Sequence, residues 1–175
     1  MAQSDRPSSY RRTVQLYTPE QRRRRDETKW TLVQGILAPL QFLVLLISVG
    51  LILRYLATGE GLFAANVSIV IKTLLLYTIM ITGSIWEKVV FGKYLFAEAF
   101  FWEDVVSMLV LALHTAYLVC LAYDLIDHRS LMLLALAAYA TYAVNATQFL
   151  LKLRAARLGA RAAGHDTHPV LEAAR

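Results

Sequence analysis

The apolar residues of this chain gather into four blocks, each close to or beyond the roughly 20 residues that cross a bilayer core. The first runs from Trp30 to about Leu56 and the second from about Leu62 to Val90. The third runs from about Glu98 to Ala122 and the fourth from Leu131 to about Leu151. No block alternates with a period of two, so barrel strands are disfavoured. Helices are the other way to satisfy every backbone group in lipid. The pattern predicts an all-α integral membrane protein with four transmembrane helices. A basic tail over residues 1–29 precedes the helical domain, residues 30–152. A second basic tail, expected to be disordered, follows over residues 153–175.

Polar positions inside the blocks are patterned too. Gln34, Gln41, Ser48 and Tyr55 recur every seven residues in the first block. That interval drifts only about 20° per step on a helix, so the four form one stripe. Such a stripe faces other helices, either as hydrogen-bonding glue or as the wall of a polar cavity. Pro39 lies in the same block and is expected to kink it. Tyr139, Tyr142, Asn145 and Gln148 step by three along the fourth block and share a broad face. Lys72 lies in the second block. Either it is buried about 15 Å from the outer helix end, or the helix starts late and the side chain snorkels outward. Before the first block, Thr18–Pro19–Glu20–Gln21 has the spacing of a capping box with proline at the first helical position. It predicts a short basic helix with Arg22 to Arg25 against anionic headgroups.

Charge adds orientation. Fifteen of the eighteen basic residues lie in the two tails and in the connection between the second and third blocks. The positive-inside rule then places both termini in the cytoplasm. The net charge of +5 is topogenic on this reading, and no nucleic-acid partner is expected. Composition agrees: 57% of residues are hydrophobic, above the share usual in soluble domains. Cys120 is the sole cysteine, which excludes an internal disulfide and a cysteine metal cluster. The first apolar run is expected to stay as a helix and not to be cleaved as a signal peptide.

The candidate chemistry sits around the connection between the second and third blocks. Glu87, Glu98, Glu103 and Asp104 crowd one membrane rim, with Lys88 and Lys93 as the nearby bases. Unless Lys152 or Arg154 reaches over, two carboxyls lack a partner. A carboxyl left unpaired beside hydrocarbon keeps its proton and is available as an acid. Singly, Glu98 and Asp104 also suit a helix N-terminus, where they complement the dipole. Glu103, Ser107, Val110, His114 and Tyr117 share one helical face. Glu103 and His114 are about 16 Å apart along the axis, so they contact opposite ends of a large ligand or nothing in common.

Three long stretches carry a family resemblance. They are "KWTLVQGILAPLQFLV", "IVIKTLLLYTIMITGSIWEKVVFGKYLFAEAFFWEDVVSMLVLALHTAYLV" and "LLALAAYATYAVNATQFLLKLRAARL". Together they resemble the 3-vinyl bacteriochlorophyllide hydratase family of photosynthetic bacteria, over roughly Leu16 to Leu158. The resemblance implies an inner-membrane enzyme of bacteriochlorophyll synthesis. Its substrate would be a chlorophyllide-type tetrapyrrole, whose 3-vinyl group is hydrated to 3-(1-hydroxyethyl). No catalytic residue is carried over from the family.

Hydration of a vinyl group requires a protonated acid, a positioned water and an apolar slot, and no cofactor is expected. Glu103 is the first candidate for the acid, with Glu98, Asp104 or Glu87 as its partner. Trp86, Phe101 and Trp102 are candidates to stack on the macrocycle, and His114 to ligate the pigment's own magnesium. Lys72, Gln41 and Asn145 complete the candidate substrate-binding set. Expected partners are the pigment, the bilayer and other pigment-biosynthesis enzymes. Two other classes remain open: a non-catalytic pigment-binding assembly protein, and a small four-helix transporter. The first helix has no carboxylate of the kind small multidrug exporters carry.

Overall fold

The computed structural model describes residues 16–165, with side chains to residue 158. Arg6, Arg11, Arg12, His168 and Arg175 therefore lie outside the described residues. Among those described there are five α-helices and no strand: α1 Pro19–Glu27, α2 Lys29–Thr58, α3 Leu62–Phe91, α4 Phe101–Tyr123 and α5 His128–His165. Four of them, α2 to α5, are long and apolar enough to cross a membrane, and the chain is a multi-pass membrane protein.

Local signals set the helix ends. Thr18 caps α1 through a capping box, with Gln21 N–H donating to Thr18 Oγ1 at 3.2 Å and Thr18 N–H to Gln21 Oε1 at 2.9 Å. Thr28 ends α1 and caps α2, so the chain turns there and does not run on as one helix. Gly59 and Gly92 close α2 and α3 in the left-handed region, at φ 76° and 84°, where a side chain is disfavoured. Asp127 caps α5 by accepting from Arg129 N–H and Ser130 N–H, both at 3.0 Å. α2 passes through Pro39 as a continuous helix, with that residue on the exposed side. The third span begins at Phe101, not Glu98, because Phe96 turns the chain at φ 58° and Phe100 N–H closes a turn onto the Ala97 carbonyl. The last helix continues through residues 153–165.

Two antiparallel hairpins, α2–α3 and α4–α5, make the bundle. Helices run close together within each hairpin, while helices of different hairpins approach at few points. The seam between the hairpins is therefore filled by side chains. Towards the α2–α3 turn it is apolar, with Ile52, Ile69, Met132 and Tyr117 buried. Ser48 Oγ also meets Ser68 Oγ and Tyr139 Oη there, each at 2.7 Å. Lipid supplies no hydrophobic drive for helix association, so packing and such bonds, about 0.6 kcal/mol each, hold the hairpins together. Outward positions such as Leu32, Phe42, Leu46, Leu109 and Leu150 are exposed and suit lipid.

At the opposite end α1 docks through Tyr17. Its ring is buried, stacks on Phe91 at 5.7 Å and lies under the Arg25 guanidinium at 4.9 Å. Burial pushes the Tyr17 hydroxyl up from its ordinary value, with Arg25 opposing. Phe100 is the centre of this aromatic cluster, touching Tyr17, Trp86, Phe91 and Phe149.

Candidate functional site

The buried anchor Phe100 fixes where α4 starts, and α4 then carries two carboxylates in its first turn. Glu103 and Asp104 both point inward, and the last turns of α3 bring Glu87 beside them; all three are buried. Glu98 precedes the helix and is exposed. The connecting loop donates backbone N–H groups to the cluster: Phe96 N–H to Asp104 Oδ2 at 2.7 Å, and Ala97 N–H to Glu87 Oε2 at 3.4 Å. The positive φ at Phe96 belongs to the loop that presents them. No side-chain pattern announces these two donors, because they are backbone groups of an irregular loop.

The carboxyls differ in their partners. Lys152 of α5 reaches over and donates to Glu103 Oε2 at 2.6 Å, which gives Glu103 a cationic partner. Glu87 and Asp104 are both buried and are tied to adjacent residues of one loop, Glu87 to Ala97 and Asp104 to Phe96. Among the described residues, no lysine or arginine nitrogen lies within 4.0 Å of either. Two buried carboxyls with no cation beside them favour holding one proton between them over carrying two negative charges. The rim thus has one carboxyl paired with a lysine beside two buried carboxyls without a cation.

Deeper in the seam lies a second polar group. Lys72 is fully buried and has not snorkelled. Its Nζ donates to Gln41 Oε1 and sits 3.8 Å from the centroid of the Tyr142 ring. His114 is also buried, its Nδ1 bonded to the Val110 carbonyl at 2.8 Å and its ring 5.7 Å from Tyr139. A carbonyl only accepts, so Nδ1 carries the hydrogen and Nε2 presents its lone pair. Asn145 Nδ2 donates to Ser107 Oγ at 2.7 Å. Four buried polar atoms along this track have no protein partner: Gln41 Nε2, His114 Nε2, Asn145 Oδ1 and Gln148 Oε1. Buried polar atoms are almost always paired, so a run of unpaired ones marks a place for water or ligand.

The structure separates other candidates from this track. Trp86 is half-buried in the aromatic cluster and donates Nε1–H to Thr31 Oγ1 at 2.9 Å. Phe101 and Trp102 are exposed and pack edge to face with each other, at 5.4 Å. Tyr142 was not among the sequence candidates, although its three-residue spacing from Tyr139 and Asn145 placed it on their face. A shallow apolar groove of about 350 Å³ runs along α5 over Ala143, Val144, Thr147, Gln148 and Leu151. Its lining comes from this one helix, mostly from exposed positions. Its volume is at the low end for small-molecule sites, about 300–1,000 Å³.

A family model described as 2-vinyl bacteriochlorophyllide hydratase matches residues 17–155. A protein of that name from Cereibacter sphaeroides is 70% identical over 148 residues, spanning 85% of this chain and 92% of that protein. One of the same name from Rhodobacter capsulatus is 67% identical over 145 residues, spanning 83% of this chain and 84% of that protein. No solved structure matches the chain.

Proposed function

We propose that this chain, which belongs to the 2-vinyl bacteriochlorophyllide hydratase family, adds water to the vinyl group of a chlorophyllide-type tetrapyrrole. The position called 2 in the family name is position 3 in systematic tetrapyrrole numbering. The observation that carries the function is the 70% identity that spans 92% of a named hydratase. The product is the 1-hydroxyethyl pigment. The enzyme works in the bacterial inner membrane with both termini in the cytoplasm, as the clustered basic residues favour. Other pigment-biosynthesis enzymes are its expected neighbours, since substrate and product both partition into lipid.

The Glu87–Asp104 pair supplies the proton in this reading. The vinyl π electrons take the shared proton onto the terminal carbon, and the inner carbon becomes a cation conjugated with the macrocycle. Water attacks that carbon through oxygen, and the carboxylate left by the first step removes the extra proton. One water is added and the pair is restored. Asp104 sits in the first turn of α4, where the helix dipole stabilises the anion formed when the proton leaves. Glu103, paired with Lys152, lies at the same rim and stabilises the developing cation electrostatically. Glu98, exposed outside the helix, takes no part. His114 Nε2 would suit the substrate's own magnesium as a ligand. Asn145 Oδ1 and Gln148 Oε1 are acceptors that suit an ordered water on its way to the cation. Phe101 and Trp102, being exposed, suit a pigment that approaches from the lipid.

Purified protein in lipid nanodiscs, given vinyl pigment and water, is expected to shift the red absorption band to shorter wavelength as the vinyl group leaves conjugation. Growth of the hydroxyethyl product by mass confirms the addition. A pigment that binds, shifts nothing and gains no mass defeats the hydratase assignment and leaves a pigment carrier.

A further inference from the structure

We infer that Lys72 receives the side-chain carboxylate that a chlorophyllide carries as a free acid, and so is the residue that tells the acid from a neutral ester. The inference rests on the hydratase reading and names a specificity-determining residue for it. Lys72 is fully buried in the seam, yet among the described residues no carboxylate lies within 4.0 Å of its Nζ. Its contacts are the Gln41 amide oxygen and the Tyr142 ring face, both neutral. The Gln41 amide nitrogen beside it is buried without an acceptor. Two donor groups thus converge where the protein provides no anion.

Glue between helices does not require a cation. Serine, asparagine and glutamine do that work elsewhere in this seam, at Ser48–Ser68–Tyr139 and at Ser107–Asn145. An intramembrane lysine is expensive and finds its place through a partner. A carboxylate drawn in there would accept charge-assisted bonds from the Lys72 ammonium and a neutral one from Gln41 Nε2.

Position agrees with this. Lys72 lies against Tyr142, Glu103 is bonded to Lys152, and these two α5 residues are ten apart, about 15 Å along the axis. That span is comparable with the reach across a substituted macrocycle from one edge to a side-chain carboxylate. A pigment anchored at Lys72 places its far edge at the acid pair. The seam is also where the hairpins approach each other least, so it opens more readily than either hairpin. A lipid phosphate, tied to the headgroup plane, does not reach this depth.

The test compares the free-acid vinyl pigment with its methyl ester, in nanodiscs, by equilibrium binding and by hydration. Wild type is expected to bind the acid about tenfold or more tighter than the ester. In Lys72→Met that preference falls to within about threefold, through weaker binding and a higher KM for the acid. Lys72→Arg keeps most of the preference because the charge is retained. Methionine in place of a buried lysine is favourable in lipid, so the variant is expected to insert and fold. Equal binding of acid and ester by wild type overturns the inference, as does an unchanged preference in Lys72→Met. If wild type hydrates neither pigment, the hydratase reading fails, and the binding comparison still decides the role of Lys72.

Discussion

Replacing Asp104 by asparagine removes a proton and little else. The Asp104 side chain is 3% exposed, and asparagine has the same shape, so no cavity opens. Its amide oxygen can accept the Phe96 N–H that Asp104 Oδ2 accepts at 2.7 Å, so the α3–α4 loop keeps its anchor. Its amide nitrogen can donate to Glu87, so that side of the contact can persist. The two carboxyls that divide acid and base roles become one carboxyl beside an amide that neither gives nor takes the proton. General acid catalysis contributes about 10²–10⁴-fold, so kcat is expected to fall by that factor, about 3–5 kcal/mol of barrier. KM should change little, because the lost interaction acts on the transition state. The assay is the initial rate of the blue shift with saturating vinyl pigment, alongside a melting curve in detergent. A variant that melts like wild type and turns over within about threefold of it would refute the acid-pair mechanism.

Glu103→Gln leaves Lys152 without its carboxylate. Because the Lys152 side chain is 29% exposed, solvent screens part of the loss, and the expected cost is about 1–2 kcal/mol, read as a lowered melting temperature. Adding Lys152→Met should recover much of it, and a double-mutant cycle gives the coupling; Glu103→Gln should also keep more activity than Asp104→Asn. Ser48→Ala removes two interhelical bonds and should cost about 1 kcal/mol in thermal stability, with hydration rate preserved. Tyr17→Ala deletes a buried ring at the α1 dock, a change worth about 3–5 kcal/mol for aromatic truncations, and trypsin should cut faster at Arg22 to Arg25. Burial lets folded Tyr17 hold its proton longer than the unfolded chain does. Its contribution to docking is therefore complete below about pH 10 and is lost as pH rises through the folded group's ionisation. Faster tryptic cleavage at high pH in wild type, absent in Tyr17→Phe, checks that sign.

The four spans, the capped basic helix and the inward stripe from Gln34 to Tyr55 were legible in the sequence, because each depends on neighbours within a few turns of one helix. Hydropathy over 20 residues and the Thr18–Gln21 spacing need no knowledge of the rest of the chain. The excess of acids at one rim could be counted in the same way. Which acid carries the cation could not, since Lys152 and Glu103 are 49 residues apart. Their meeting depends on how far α5 is rotated about its own axis against α4. Neither could the loop donors from Phe96 and Ala97, nor the choice of Lys72 between snorkelling and burial against Gln41 and Tyr142. Those outcomes turn on small differences in helix rotation and tilt, worth about as much as one intramembrane hydrogen bond. Local sequence therefore decides which segments enter the bilayer, while the packing of one hairpin on the other decides which buried charge meets a partner and which is left for a ligand.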